Sequence, residues 1–338
     1  MRSWRTSSTR RSNGRRLAAL CALVLLSALL SMCLGAVAVA PGDILPALLG
    51  RSGGAAAQIV RYARLPRTCG CLLAGAALAV SGALIQSVLG NPLAAPNIIG
   101  VSSGAGLAAA LCGALAPSAA LALPIASFAG ALAGVLLVLF IAEKTGASKL
   151  TLVLAGVAVS GMFSAGIDAV VTFVPDALAG YSDFRIGGLA NLAMSRIVPA
   201  FWVIVIALAL ILSLAGELDV LMLGAETAQS LGLRTKPLRL ILLILAAALA
   251  GAAVSFSGLI GFVGLIVPHI MRRLLGEDSL PLLAGCALGG AVCLTLCDLL
   301  GRLLFAPYEL PVGIVLSLAG GPFFIWLLIR QRGGRVHD

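Results

Sequence analysis

The chain has 338 residues, 60% of them hydrophobic and only 11% charged, with a mean hydropathy of +1.10 and a formal net charge of +10. Soluble globular chains carry about 25% charged residues, so too little polar surface remains here for soluble domains. The basic residues stand at the ends of apolar runs, which reads as membrane topology and contact with lipid headgroups and makes nucleic acid a poor explanation for them.

A basic segment, residues 1–16, opens the chain and is expected to be a cytoplasmic tail. Apolar runs long enough to cross a bilayer as helices, which takes about 20 residues, follow at 17–40, 68–89, 118–142, 150–174, 197–214, 238–254, 282–304 and 312–329. Two shorter runs broken by Pro or Gly, 98–116 and 259–275, bring the predicted spans to ten, within a single transmembrane domain over 17–330. Residues 331–338 are expected to form a second cytoplasmic tail. The arginines before the first run resemble the start of a signal peptide. That run is long enough to span, however, whereas an export signal core is about 7–15 residues. With the amino terminus inside and every segment crossing, sixteen Lys and Arg fall inside and seven outside, as the positive-inside rule requires. Both basic ends lie inside, so the number of spans is even. The expected fold is an all-α polytopic membrane protein.

An internal repeat supports that order. Ala74-Gly75-Ala76-Ala77, Ser81-Gly82 and Pro92 recur as Ala250-Gly251-Ala252-Ala253, Ser257-Gly258 and Pro268 at a constant offset of 176, and Gly100 recurs as Gly276. The matched helices are the second and the seventh, five spans apart, so the two copies have opposite orientations. That is an inverted repeat, running from second to fifth and from seventh to tenth helix. The broken third and eighth segments occupy corresponding positions, which points to a translocation pathway. Candidate pathway residues are Gln86, Asn91, Pro92 and Pro268 around these segments, together with Asp168, the one ionisable group well within a span. Asp168 reads equally as a pore-facing residue solvated in a water-filled cavity. Asp298 and Arg302, four apart toward the outer end of the ninth span, are expected to pair on one helix face.

The chemistry that would make this chain an enzyme is missing. There is no G-x-x-x-x-G-K-[ST] sequence to hold ATP. All eight cysteines lie in apolar stretches and read as small packing residues. Cys69 and Cys71 form a bare C-x-C without the second pair a zinc site needs, and two histidines cannot build a metal cage. His269, the only histidine in a span, follows Pro268 near the end of the short eighth segment and reads as a structural histidine.

Four stretches carry a family resemblance. RLPRTCGCLLAGAALAVSGALIQSVLGNPLAAPNIIGVSSGAG (64–106), LMLGAETAQSLGL (221–233), GLIGFVGLIVPHIMRRLLG (258–276) and DLLGRLLFAPYELPVGIVLSLAGGPFFIWLL (298–328) resemble, in the right order, the FecCD family of importer permeases. The resemblance implies a homodimer of ten-helix subunits with the pathway between them. It also implies two cytoplasmic ATPase subunits that bind ATP and Mg, and an extracytoplasmic substrate-binding protein. Cargo in the family is an iron-siderophore, haem or cobalamin, and an iron-siderophore is the first expectation here. The rival class is an ion-coupled secondary transporter. Arg64, Arg67 and Arg302 match family arginines that receive acidic residues of the binding protein, and the charge pattern independently sets all three outside. Gly224, Ala225, Glu226, Ala228, Leu231 and Gly232 match the segment that couples to the ATPase. The family's aromatic-Gly-Ser stretch reads Phe184-Arg185-Ile186-Gly187-Gly188-Leu189 here, and residues 143–150 carry no match to a cytoplasmic gate.

Overall fold

A computed structural model describes residues 2–35, 37–116, 121–145 and 149–332, and among these every regular element is helical. Helix α1 (Arg2–Cys33) is followed by short α2 (Pro41–Leu48) and α3 (Ala55–Gln58). The latter continues through a π-helical turn, Ile59–Arg64, into α4 (Leu65–Leu89). A turn at Pro96–Ile99 leads into α5 (Val101–Leu115), and α6 (Ala122–Lys144) and α7 (Lys149–Phe173) complete the first half. Between the halves lie α8 (Ala177–Ile186), α9 (Met194–Ser213), α10 (Ala215–Met222) and α11 (Ala225–Ser230). The second half is α12 (Thr235–Ser257), α13 (Val263–Leu275), α14 (Ser279–Leu303) and α15 (Val312–Arg332).

Seven of these helices are long and apolar enough to cross a membrane, and α5 and Val312–Leu327 of α15 are shorter apolar helices. With α13 they occupy the ten predicted positions. At 1.5 Å per residue, the 15 residues of α5 and the 13 of α13 reach only about 22 and 20 Å. A hydrocarbon core is about 30 Å thick, so the chain must enter each of these helices from within the bundle. Three boundaries differ from expectation. The first span ends at Cys33 instead of 40, the basic segment continues the same helix back to Arg2, and the second span extends back to Ala55. Short α2 and α8 were not foreseen, because neither has an apolar run of spanning length.

The core is built on the two repeat-matched helices. Buried positions make up 78% of the apolar window in α4 and 72% in α12, against 17% in α1, so α4 and α12 are central and α1 peripheral. The two lie against each other, and each reaches across to the other half: α4 packs on α14, and α12 on α6. Corresponding glycines make both crossings. A Cβ on Gly75 would overlap the carbonyl of Gly290 in α14, and one on Gly251 would press on Ala131 and Phe128 of α6. Packing of α5 on α6 uses the same device twice. Gly104 meets Gly130 and Gly100 meets Gly134, a pair of G-x-x-x-G spacings whose backbones touch. Such contacts suit a membrane interior, where helices gain little from hydrophobic exclusion and associate by close van der Waals packing. All eight cysteines are free thiols, and Cys33, Cys71 and Cys286 are buried. The His269 ring packs edge-on against Phe323 at 5.9 Å.

Candidate functional site

The three arginines come together at the end of the bundle where α1 and α14 finish and α4 begins. All are buried, at 5%, 7% and 4% exposure for Arg64, Arg67 and Arg302. Two of them cap α1. The last four carbonyls of a helix have no partner within it, and a cation is favoured at that negative end. Arg64 donates from Nη1 to the carbonyls of Met32 (2.6 Å) and Cys33 (2.8 Å) and from Nη2 to Val37. Arg302 donates from Nη2 to Ser31 Oγ (2.8 Å) and from Nη1 to the Ser31 and Leu34 carbonyls (3.3 and 3.4 Å). Ser31 Oγ also lies 2.8 Å from Thr68 Oγ1, which ties α1 to α4.

Arg67 is held by carboxylates. Its Nε and Nη2 edge grips Asp298 at 2.9–3.1 Å, and Nη1 donates to Glu309 Oε2 at 2.6 Å. The expected Asp298–Arg302 pair is present, with Nε 3.2 Å from Oδ2, but that Nε is not aimed for a hydrogen bond. The stronger partner of Asp298 is Arg67, on a different helix, and the local i,i+4 spacing gave no sign of it. The three arginines, Gly35, Ala190 and Glu309 line a concave cavity of about 210 Å³. A glutamate put at 67 or 302 would face Asp298 at a buried site, so charge reversal there disturbs packing as well as any docking surface.

At the opposite end, α10 and α11 project as two short helices separated by Gly224, whose φ of +108° only glycine adopts readily. Leu223 and Leu231 are 63% and 64% exposed, and Ala225, Glu226 and Gly232 are also exposed. Ala228 is fully buried, which leaves no room for a larger residue where α11 sits on the body. Asp219 accepts from the backbone N–H of Ser279 at 2.8 Å and fixes α10 to the start of α14. The chain's beginning lies at this same end, since Asn13 donates to the carbonyl of Leu275 at 3.0 Å.

The pathway candidates divide. Gln86, Asn91 and Pro92 share a cavity of about 430 Å³ with Leu221, Gly224, Arg239 and Arg272 beside the α10–α11 segment. Gln86 is itself buried and donates to the Gly264 carbonyl at 3.0 Å, joining the two halves. Pro268 is buried inside α13. Asp168 is exposed on α7, in one stripe with Gly161, Ser164 and Thr172. A further cavity of about 300 Å³ is lined by both interrupted segments at once, through Pro96, Asn97 and Ser102 from one and Leu259, Phe262 and Gly264 from the other. The departing stretch 184–189 bridges elements. Phe184 accepts from Leu259 N–H at 2.9 Å, and Gly188 donates to Ser257 at the same distance. Part of the unmatched stretch 143–150 lies outside the described residues.

The FecCD transport family model matches residues 23–330, nearly the whole chain. The chain belongs to the FecCD transport family. It is similar to the hemin transport system permease protein HmuU of Yersinia pestis, 41% identical over 80% of this chain and 83% of that one. It is 38% identical to the Fe(3+)-citrate import system permease protein YfmE of Bacillus subtilis, over 91% and 93% of the two chains. A solved metal-chelate type ABC transporter in an inward-facing conformation superposes with a TM-score of 0.84 at 29% identity, covering 94% of this chain and 99% of that one. This FecCD chain therefore has the all-helical fold of an ABC importer permease, and its relatives are permease proteins of import systems.

Proposed function

We propose that this FecCD chain is the membrane permease subunit of an ATP-driven importer that carries an iron chelate, first of all an iron-siderophore, into the cytoplasm by alternating access. The observation that carries the reading is likeness over most of the chain to permease proteins of import and transport systems, several of them named for ferric chelates. Haem is the second reading, favoured by the hemin permease among the relatives. The pathway forms between two copies of the chain, with the α7 stripe of Gly161, Ser164, Asp168 and Thr172 facing it. An exposed carboxylate in a spanning helix suits a water-lined surface far better than lipid. Both termini and the α10–α11 segment are cytoplasmic. Two ATPase subunits bind ATP and Mg there, while a substrate-binding protein docks over Arg64, Arg67 and Arg302 outside. Arginine offers a planar fork of donors suited to carboxylates, and opposite charge steers docking.

The test is uptake of labelled ferric siderophores, haem and cobalamin in cells lacking this permease, with and without the gene restored. Restored uptake of a ferric siderophore is the expected result, and it should vanish when the partner ATPase loses its Walker lysine. Rescue that persists without that lysine would point to an ion-coupled carrier instead. The coupling assignment has its own measurement. Changing exposed Leu223 and Leu231 to Asp should cut recovery of the ATPase with the purified permease by roughly tenfold, the scale of losing an apolar contact or two at an interface centre. Unchanged recovery would remove α10–α11 from that interface.

A further inference from the structure

The arginine cavity holds two carboxylates in very different states. Asp298 is 1% exposed, gripped by two nitrogens of Arg67 and within 3.2 Å of Arg302, so no partner can reach or replace it. Glu309 touches the same Arg67 through one nitrogen only, at 2.6 Å, and its side chain is 37% exposed. It stands on the connection between α14 and α15 among exposed apolar residues, Leu304, Phe305 and Tyr308 at 66%, 52% and 81%. Exposed aromatic surface beside a charged pocket is the composition of a protein contact. Three guanidiniums against two carboxylates also leave the cluster with one positive charge in excess. The other two arginines direct their donors to the carbonyls that end α1. Nη1 of Arg67 is therefore the donor whose present partner can leave without opening the core.

We propose that Glu309 stands in for an acidic side chain of the binding protein: docking exchanges one carboxylate for another on Nη1 of Arg67, which makes Glu309 the residue that sets docking affinity. The inference rests on the docking reading above. Exchange keeps Arg67 paired at every stage, which matters because a buried charge left without its partner is costly. It also frees the α14–α15 connection when the partner arrives. Binding strength then depends on the difference between two carboxylate–arginine pairs, and removing the internal competitor strengthens docking.

The experiment is a titration of the full-length permease, assembled with its ATPase subunits in lipid nanodiscs, with the substrate-binding protein that supports uptake through it. Glu309→Gln is expected to tighten binding by roughly tenfold, the scale of one charge-assisted pair. Asp176→Asn removes an exposed acid from the connection before α8, away from Arg67, and should change affinity less than twofold, which separates competition from net charge. Replacing the binding protein's own surface acids by Gln tests the docking reading separately and should weaken binding. If Glu309→Gln binds equally or more weakly while those acid-to-Gln variants still lose affinity, docking stands and the exchange is wrong. If neither set changes affinity, the docking reading falls and the exchange with it. Equal tightening by Asp176→Asn would also overturn the proposal.

Discussion

Asp298→Ala is expected to lower the stability of the folded permease by about 3–5 kcal/mol, the cost of removing one partner from a buried ion pair. The carboxylate is 1% exposed and serves two arginines, Arg67 from α4 and Arg302 one turn along its own helix. Without it, two guanidiniums lie side by side in a poorly hydrated place, and only Glu309 and the carbonyls closing α1 remain to balance them. The check is thermal aggregation of the detergent-solubilised protein, read beside Asp168→Ala. Asp168 is exposed on α7, so its loss should leave folding nearly unchanged even if transport suffers. A double-mutant cycle gives the pairing itself. Arg67→Met combined with Asp298→Ala should cost clearly less than the two single losses added, because the second change removes the charge that the first orphaned. Strict additivity would mean that Arg67 and Asp298 do not depend on each other.

Gly75→Val should be at least as damaging, at about 3 kcal/mol or more, the upper range for overfilling a packed core. A Cβ at 75 would lie well inside 3.0 Å of the Gly290 carbonyl and also overlap the Leu294 side chain. The obstacle is backbone, which no rotamer change can clear, so α4 and α14 would have to separate along the most central helix of the fold. Gly161→Ala is the matched control, since an added Cβ there meets nothing within 4 Å. Recovery of monodisperse protein from membranes should fall sharply for the first variant and stay near wild type for the second. Normal recovery of Gly75→Val would mean that the α4–α14 crossing can open without loss of the fold.

Both expectations describe a rigid frame. Close packing locks α4, α12, α6 and α14 together, backbone to backbone where α4 crosses α14, and the arginine cluster pins α1 to that frame at one end. What is left to move relative to the frame is what packs less closely. That includes the exposed α10–α11 segment and the α14–α15 connection that carries Glu309. Under the function proposed above, alternating access would be rocking of this stiff body, with the short segments at its two ends reading the proposed partners.

The amino-acid sequence by itself determined which segments are long and apolar enough to span, because run length and composition are local properties matched to bilayer thickness. It also determined the repeat, since the matching glycines at 75 and 251 are the ones that make the two helix crossings. The same holds for the turns that bound the segment at 224–232, where Gly224 and Gly232 both take positive φ. Tertiary structure alone decided which of these parts touch. Arg67, Asp298 and Glu309 lie 231 and 242 residues apart along the chain, and no periodicity links them. Asp298 looked like the local partner of Arg302 because four residues make one helical turn. It became chiefly the partner of Arg67 because glycines bring α4 and α14 close enough for one side chain to cross between them. The burial of all three arginines was hidden for the same reason. A run of basic residues near a helix end reads as exposed until the end of α1, with its unpaired carbonyls, is folded over it.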